Sequence, residues 1–266
     1  MTNAHAPSTL TGSNYKKTLS FQHRAISRVQ FTPSLLLQLV FLPLFFCALL
    51  FWAEPYLFTF WRQCIYFWST LLAIPLSLPD SGLTLEDGNQ LGLIWVGAEM
   101  NEYMPTVFQL AMTSIVTGLG VLATFKMNGA MLPIKYALRI LATVMLVSIV
   151  YFIVEPTQFP YSITRHMHDI ANLGFVLMIS SPIMLAFGYY VFPFSITIKI
   201  KHTVLILLYF MLLIPHQIVL HILILQHFSL LFMPILYICF GTLFDVLIFV
   251  ALYSWAASTI PHNATI

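Results

Sequence analysis

Apolar residues in this chain run in long unbroken blocks and do not alternate with polar ones. The blocks are Ser34–Ala53, Pro105–Phe125, Tyr136–Val154, Ile170–Phe192, Thr203–Leu225 and Ser229–Ala257. About 20 residues of helix, rising 1.5 Å each, cross a hydrocarbon core of roughly 30 Å, so each block has the length of one membrane span. A membrane β-barrel needs strict alternation, which continuous blocks exclude. The pattern therefore predicts an all-α integral membrane protein with six transmembrane helices.

A further apolar stretch, Tyr56–Pro79, is rich in aromatic residues but holds Arg62 and Gln63. It reads as an interfacial or re-entrant helix, because Tyr and Trp rings suit the headgroup layer. The same outer loop, residues 54–104, contains "LTLEDGNQLGLIW". Its Asp87-Gly88 pair suits the left-handed positions of a tight turn, which predicts a short β-hairpin. Residues 1–33 and 258–266 are polar tails, and 34–257 form one membrane domain.

Composition agrees with this reading, with 59% hydrophobic and 8% charged residues. The positions of the charges add sidedness. Six spans with an inner N-terminus place Lys16, Lys17, Arg24, Arg28, Lys126, Lys135, Arg139, Lys199 and Lys201 on one side. Glu54, Asp80, Glu86, Asp87, Glu99, Glu102, Glu155 and Asp169 then fall on the other with only Arg62 and Arg165 among the cations, and Asp245 alone is left in a span. Lys and Arg in short loops mark the cytoplasmic face, so both termini are expected in the cytoplasm of a bacterium whose inner membrane holds the chain. A seventh span would carry Lys126, Lys135 and Arg139 across the membrane, which argues against it. The expected partners are the lipid bilayer and another membrane protein, with no nucleic acid.

Ionisable groups inside the blocks are the candidate chemistry. "LLIPHQIVLHIL" sets Pro215, His216 and His221 in an apolar run, and Asp245 lies in the last block. His216 and Asp245 fall at nearly the same depth on consecutive antiparallel spans, about 6 Å apart along the axis. They are expected to form an intramembrane polar pair, either as structural glue or as an ion relay. A second cluster, "SITRHMHDIANLGF", opens the fourth span with Arg165, His166, His168 and Asp169. Arg165, His168 and Asp169 are the catalytic candidates, alternatively a capped helix start in the headgroup layer. Glu99, Glu102, Glu155, His166, His221 and His227 complete an outer polar cluster.

Cys47, Cys64 and Cys239 have no paired spacing and read as small buried hydrophobes. No cofactor is expected, with haem b between histidines such as His168 and His221, or a metal ion, as the alternatives. No Gly-x-Ser-x-Gly, phosphate-binding glycine loop or His-Glu-x-x-His occurs. "TGLG" at Thr117–Gly120 reads as a site of close helix packing.

The order of these features resembles the exosortase/archaeosortase group of membrane transpeptidases. The outer segment "LTLEDGNQLGLIWVGAEMNEYM" leads into a span, and "RHMHDIANLGF" resembles the histidine-bearing helix start of that group, with His168 in the matching role. The group's catalytic cysteine has no counterpart in "VGAEMNEYMPT". The resemblance thus implies a cysteine-less relative or an associated membrane protein, and leans away from an enzyme. The expected function is an accessory or assembly subunit in envelope protein sorting or export, presenting its outer loop and polar helix ends to a partner. An ion-coupled transporter using His216 and Asp245 is one alternative. A membrane enzyme or redox subunit with an outward-facing His/Arg/Asp site is the other.

Overall fold

A computed structural model describes residues 33–74, 104–155, 159, 161–191 and 195–258. Within them the chain is helical, with six helices long and apolar enough to cross a membrane. They are α1 (Pro33–Leu71), α2 (Val107–Phe125), α3 (Leu132–Val154), α4 (Ile163–Val191), α5 (Ile196–Phe228) and a composite sixth span, Leu230–Ser258. The sixth begins as a 3₁₀ turn, Leu230–Phe232, and a short α segment, α6 (Met233–Ile235). It continues through an eight-residue π-helical stretch, Leu236–Leu243, into α7 (Phe244–Ser258).

Local chemistry sets several of these boundaries. Thr106 starts α2 with a capping box: its hydroxyl accepts from Gln109 N at 3.2 Å, and the Gln109 side chain accepts from Thr106 N at 2.9 Å. At the end of α1, Ile74 N donates to Ser69 O while Ala73 takes a left-handed φ of 51°, a helix-stopping geometry usually given to glycine. Ser229 joins α5 to the sixth span at a φ of 134°, and its neighbour Leu231 offers its carbonyl to the Ser148 hydroxyl at 2.7 Å. That bond ties α3 to the start of the sixth span.

α4 and α5 form the centre, each half buried, and α1 lies against both. Gly174 on α4 allows a close approach: a Cβ there would stand 2.5 Å from Cδ1 of Ile214 on α5. α2 packs chiefly on α3 and is otherwise exposed, with Thr124 its one buried residue among those described.

The separate interfacial helix expected over Tyr56–Pro79 is not what forms. α1 runs unbroken through Glu54 and Pro55 to Leu71, and its second half packs into the bundle. Phe58 meets the Phe175 ring at 5.3 Å, and Trp61 and Ile65 are buried. From the Gln38–Lys199 contact to the Trp68–His216 ring contact, α1 advances nearly twice as many residues as α5, so α1 is steeply inclined. Inclination lets a helix of 39 residues, about 58 Å long, serve a slab of about 30 Å. The expected β-hairpin at Asp87-Gly88 lies outside the described residues.

Trp61 also explains how α5 carries a proline. Pro215 has no N–H, so the carbonyl of Met211, four residues earlier, loses its helical partner. The indole Nε1 of Trp61 donates to that carbonyl at 2.9 Å. Trp61→Phe is expected to lower stability by about 1–3 kcal/mol by orphaning a buried carbonyl. Adding Pro215→Ala restores a backbone donor and should recover part of the loss. Thermal unfolding in detergent measures both; a double variant no more stable than Trp61→Phe alone rejects this account.

Candidate functional site

The first turns of α4 distribute their polar residues in different directions, because successive helical residues point about 100° apart. Ser162 opens the helix by accepting from Arg165 N on its hydroxyl at 3.2 Å. Arg165 is exposed and lies over the Tyr161 ring at 5.1 Å. His168 is half-buried, and its Nδ1 lies 3.0 Å from the Asn172 side-chain amide. Asp169 is half-buried within electrostatic reach of Tyr237. Arg165, His168 and Asp169 therefore engage separate neighbours.

The histidine between them turns inward. His166 and His221 are each 1% exposed, and Nε2 of His166 lies 3.2 Å from Nδ1 of His221. Their rings stack at 25° with centroids 5.4 Å apart, and Tyr237 covers His166 at 5.9 Å. A hydrogen bond between two neutral imidazoles needs one N–H and one lone pair. Whichever ring donates, the distal nitrogens, His166 Nδ1 and His221 Nε2, must be one donor and one acceptor. His166 Nδ1 has no hydrogen-bond partner among the described residues, while His221 lies within reach of the Phe240 carbonyl. The pair is thus a two-ring unit that takes a proton at one end and releases one at the other.

One turn before His221, on the same face of α5, stands Gln217. Its amide nitrogen donates to the carbonyl of Phe240 in the π-helical stretch. A π-helical turn is wider than an α turn and shifts carbonyls off the usual ladder, so this one reaches an acceptor position between helices. Asp245, 2% exposed at the start of α7, interacts with the Gln217 side chain. Gln217 Oε1 and Asp245 Oδ1 are buried without hydrogen-bond partners. His166, His221, Gln217 and Asp245 accordingly line one polar row across α4, α5 and the sixth span, in which His166 Nδ1, Gln217 Oε1 and Asp245 Oδ1 are buried with no hydrogen-bond partner among the described residues.

Below Gln217, toward the basic end, the same side of α5 becomes apolar: Ile214, Phe210 and Ile206 are fully buried. Polar character returns at Thr203, His202 and Lys199, after about 20 Å of helix. The polar row is closed on that side by packed hydrocarbon.

The expected His216–Asp245 pair is not made. His216 is exposed, its Nδ1 lies 2.6 Å from Leu212 O of its own helix, and its ring meets Trp68 at 5.7 Å. Depth matching was sound but the azimuth was not; the next residue, Gln217, is the one turned to Asp245. The histidine facing His221 is His166, not His168. Glu155 is exposed just past the end of α3, and His227 is exposed with Nδ1 2.9 Å from Leu223 O. Glu99 and Glu102 lie outside the described residues. Among the described residues no group of three or more His, Cys, Asp or Glu is gathered as a metal site would need. Gly118 and Gly120 face open space, so the "TGLG" stretch is not a contact within the described bundle.

No protein family, no curated protein and no solved structure matches the chain, so the roles assigned here rest on geometry. A double-mutant cycle tests the central contact. His221→Leu alone should cost about 1–3 kcal/mol by stranding His166, and His166→Phe likewise. The double variant should lose at least about 1 kcal/mol less than their sum, read by thermal unfolding. Strict additivity would mean that the two rings do not interact.

Proposed function

We propose that this chain is a small carrier that moves protons themselves by alternating access, working through the intramembrane row His166, His221, Gln217 and Asp245. The observation that carries the reading is the continuity of that row with its unspent hydrogen-bonding atoms. Structural glue alone would favour closed bonding, because each unsatisfied polar atom in an apolar interior is costly. A proton reaching His166 passes through the bonded rings and leaves from the distal nitrogen of His221. The Asp245 carboxylate, oriented by Gln217, is the acceptor on the far side.

The packed Ile214, Phe210 and Ile206 layer favours a carrier over an open pore, since a proton cannot continue past it without a rearrangement. Elements suited to rearranging lie around the row: Pro215 in α5, Pro182 in α4 and the π-helical stretch in the sixth span. In this reading the chain is a multi-pass protein of a bacterial inner membrane. Its basic end and both termini are cytoplasmic, and the row opens toward the outer side.

Flux is the test. Full-length protein reconstituted with an internal pH dye should acidify vesicles under an imposed potassium-diffusion potential. His221→Phe and Asp245→Asn should each lower the rate at least about tenfold at normal folded yield, the scale of loss for a positioned proton-transfer group. His216→Ala should leave it unchanged. A wild-type protein that moves no protons, or two row variants that move them normally, rules the carrier out.

A second reading has its own support. An accessory subunit for envelope protein sorting or export, binding another membrane protein, would use α2, whose Gly118 and Gly120 lie open on a largely exposed helix. Small residues of this kind let two membrane helices approach closely. A photo-crosslinking residue at position 118 in intact cells should give one protein adduct of defined mass. Adducts with lipid alone remove this reading.

A further inference from the structure

The basic end of α5 holds a buried cation with no counter-charge. Lys199, in the first turns of the helix, is 5% exposed, and its Nζ donates to Gln38 Oε1 on α1 at 3.2 Å. A glutamine carbonyl is neutral, and an ammonium carries three donors. Burying such a charge is costly unless an anion accompanies it. Among the described residues no carboxylate pairs with it: Glu54, Glu155, Asp169 and Asp245 lie elsewhere along their helices, and no acidic residue occurs in 33–53, 104–154 or 170–244.

Other features add positive potential at the same point. Lys201 lies within electrostatic reach of His202, itself buried with its ring 5.8 Å from Trp255. The N-terminus of a 33-residue helix carries a partial positive charge. Ser195 makes no side-chain cap, and the amides of Ile198 and Lys199 donate to its carbonyl at 3.1 Å, so only the amides of Ile196 and Thr197 stand ahead of the first helical bonds. Lysine in the first turns opposes the helix dipole, an arrangement that a bound anion converts from unfavourable to favourable.

We propose that the junction of α1 and α5 at Lys199 binds a phosphate group, carried by an anionic membrane lipid or present as free phosphate. Lys199 supplies the charge, the uncapped amide groups of α5 supply directed hydrogen bonds, and Gln38 holds the ammonium in place. The depth suits a headgroup: Lys199 sits within the first turns of a helix long enough to overreach the hydrocarbon slab. The site is independent of the polar row, from which the Ile206, Phe210 and Ile214 layer separates it.

Thermal unfolding of delipidated full-length protein in neutral detergent tests this with three additives at matched ionic strength: phosphatidylglycerol, phosphatidylcholine and inorganic phosphate. Phosphatidylglycerol should raise the midpoint by about 2–4 °C, the shift that one compensated charge gives a chain of this size. Phosphatidylcholine should not. Inorganic phosphate giving the full shift would identify the soluble anion as the source; no shift from it would identify the lipid. Lys199→Met should abolish the shift and, without additive, be no less stable than wild type, because an uncompensated charge is gone. Lys199→Arg should retain the shift, and so should Lys126→Gln, an exposed cation at the same end. A full shift in Lys199→Met, an equal loss in Lys126→Gln, or no shift in wild type with either anion would each overturn the proposal.

Discussion

In a hydrocarbon slab no solvent is present to complete an unmade hydrogen bond, and this constraint governs the bundle. Backbone groups meet it by helix formation, and at three interruptions a side chain supplies a substitute donor. Met211 O, released by Pro215, accepts from Trp61. Leu231 O, at the 3₁₀ start of the sixth span, accepts from Ser148. Phe240 O, displaced by the π-helical stretch, accepts from Gln217. Each repair joins two elements distant in sequence, so the breaks in regular helix are also where α1, α3 and the sixth span are bound to their neighbours.

Against that economy the polar row is an exception with a direction. His166 Nδ1, Gln217 Oε1 and Asp245 Oδ1 are buried with no hydrogen-bond partner among the described residues, close to the backbone breaks at Pro215 and the π-helical stretch that are repaired. On α5 the polar residues repeat at four-residue spacing, Gln217 then His221, and give way to Ile214, Phe210 and Ile206 on the adjoining turns. A helix needed only for packing would extend the apolar layer over its whole length. A pore would extend the polar one. The division into a polar half and a sealed half is what an alternating-access device requires, since its site must reach one side of the membrane at a time.

Much of the architecture was legible in the chain. Apolar blocks gave the six spans because their length is dictated by membrane thickness, a constraint that local context cannot override. The boundary that failed was at Ala53, where Glu54, Pro55, Arg62 and Gln63 suggested an interruption; a steeply inclined helix accommodated all four. Within the site, depth was readable and azimuth was not. Rise per residue placed His216 and Asp245 at one level, but a one-residue step turns a side chain by about 100°, and that step moved the contact to Gln217. The i, i+4 spacing of Gln217 and His221 was a signal present in the quoted run, masked by attention to ionisable residues. The π-helical stretch has no comparable signature, since "LYICFGTL" is as apolar as any α-helical span.

The two charged regions of α5 follow from one electrostatic asymmetry. Among the described residues Glu155 and Asp169 lie at the end where α4 begins, together with Arg165, while Lys126, Lys135, Arg139, Lys199 and Lys201 lie at the opposite end and Asp245 is within the sixth span. A proton entering the row meets Asp169 and His168 before His166, groups that attract or relay it, whereas Lys199, Lys201 and the α5 dipole repel it at the other mouth. An anion bound at Lys199 would cancel part of that repulsion. The potential across the apolar layer would then depend on the occupancy of the anion site, although Lys199 and Gln217 lie too far apart along α5 to touch. Screening between them is weak because the intervening medium is hydrocarbon side chains and not water. If both proposed sites operate, α5 would couple a site for a proton to a site for phosphate through field alone, with Phe210 and its neighbours as the dielectric between them.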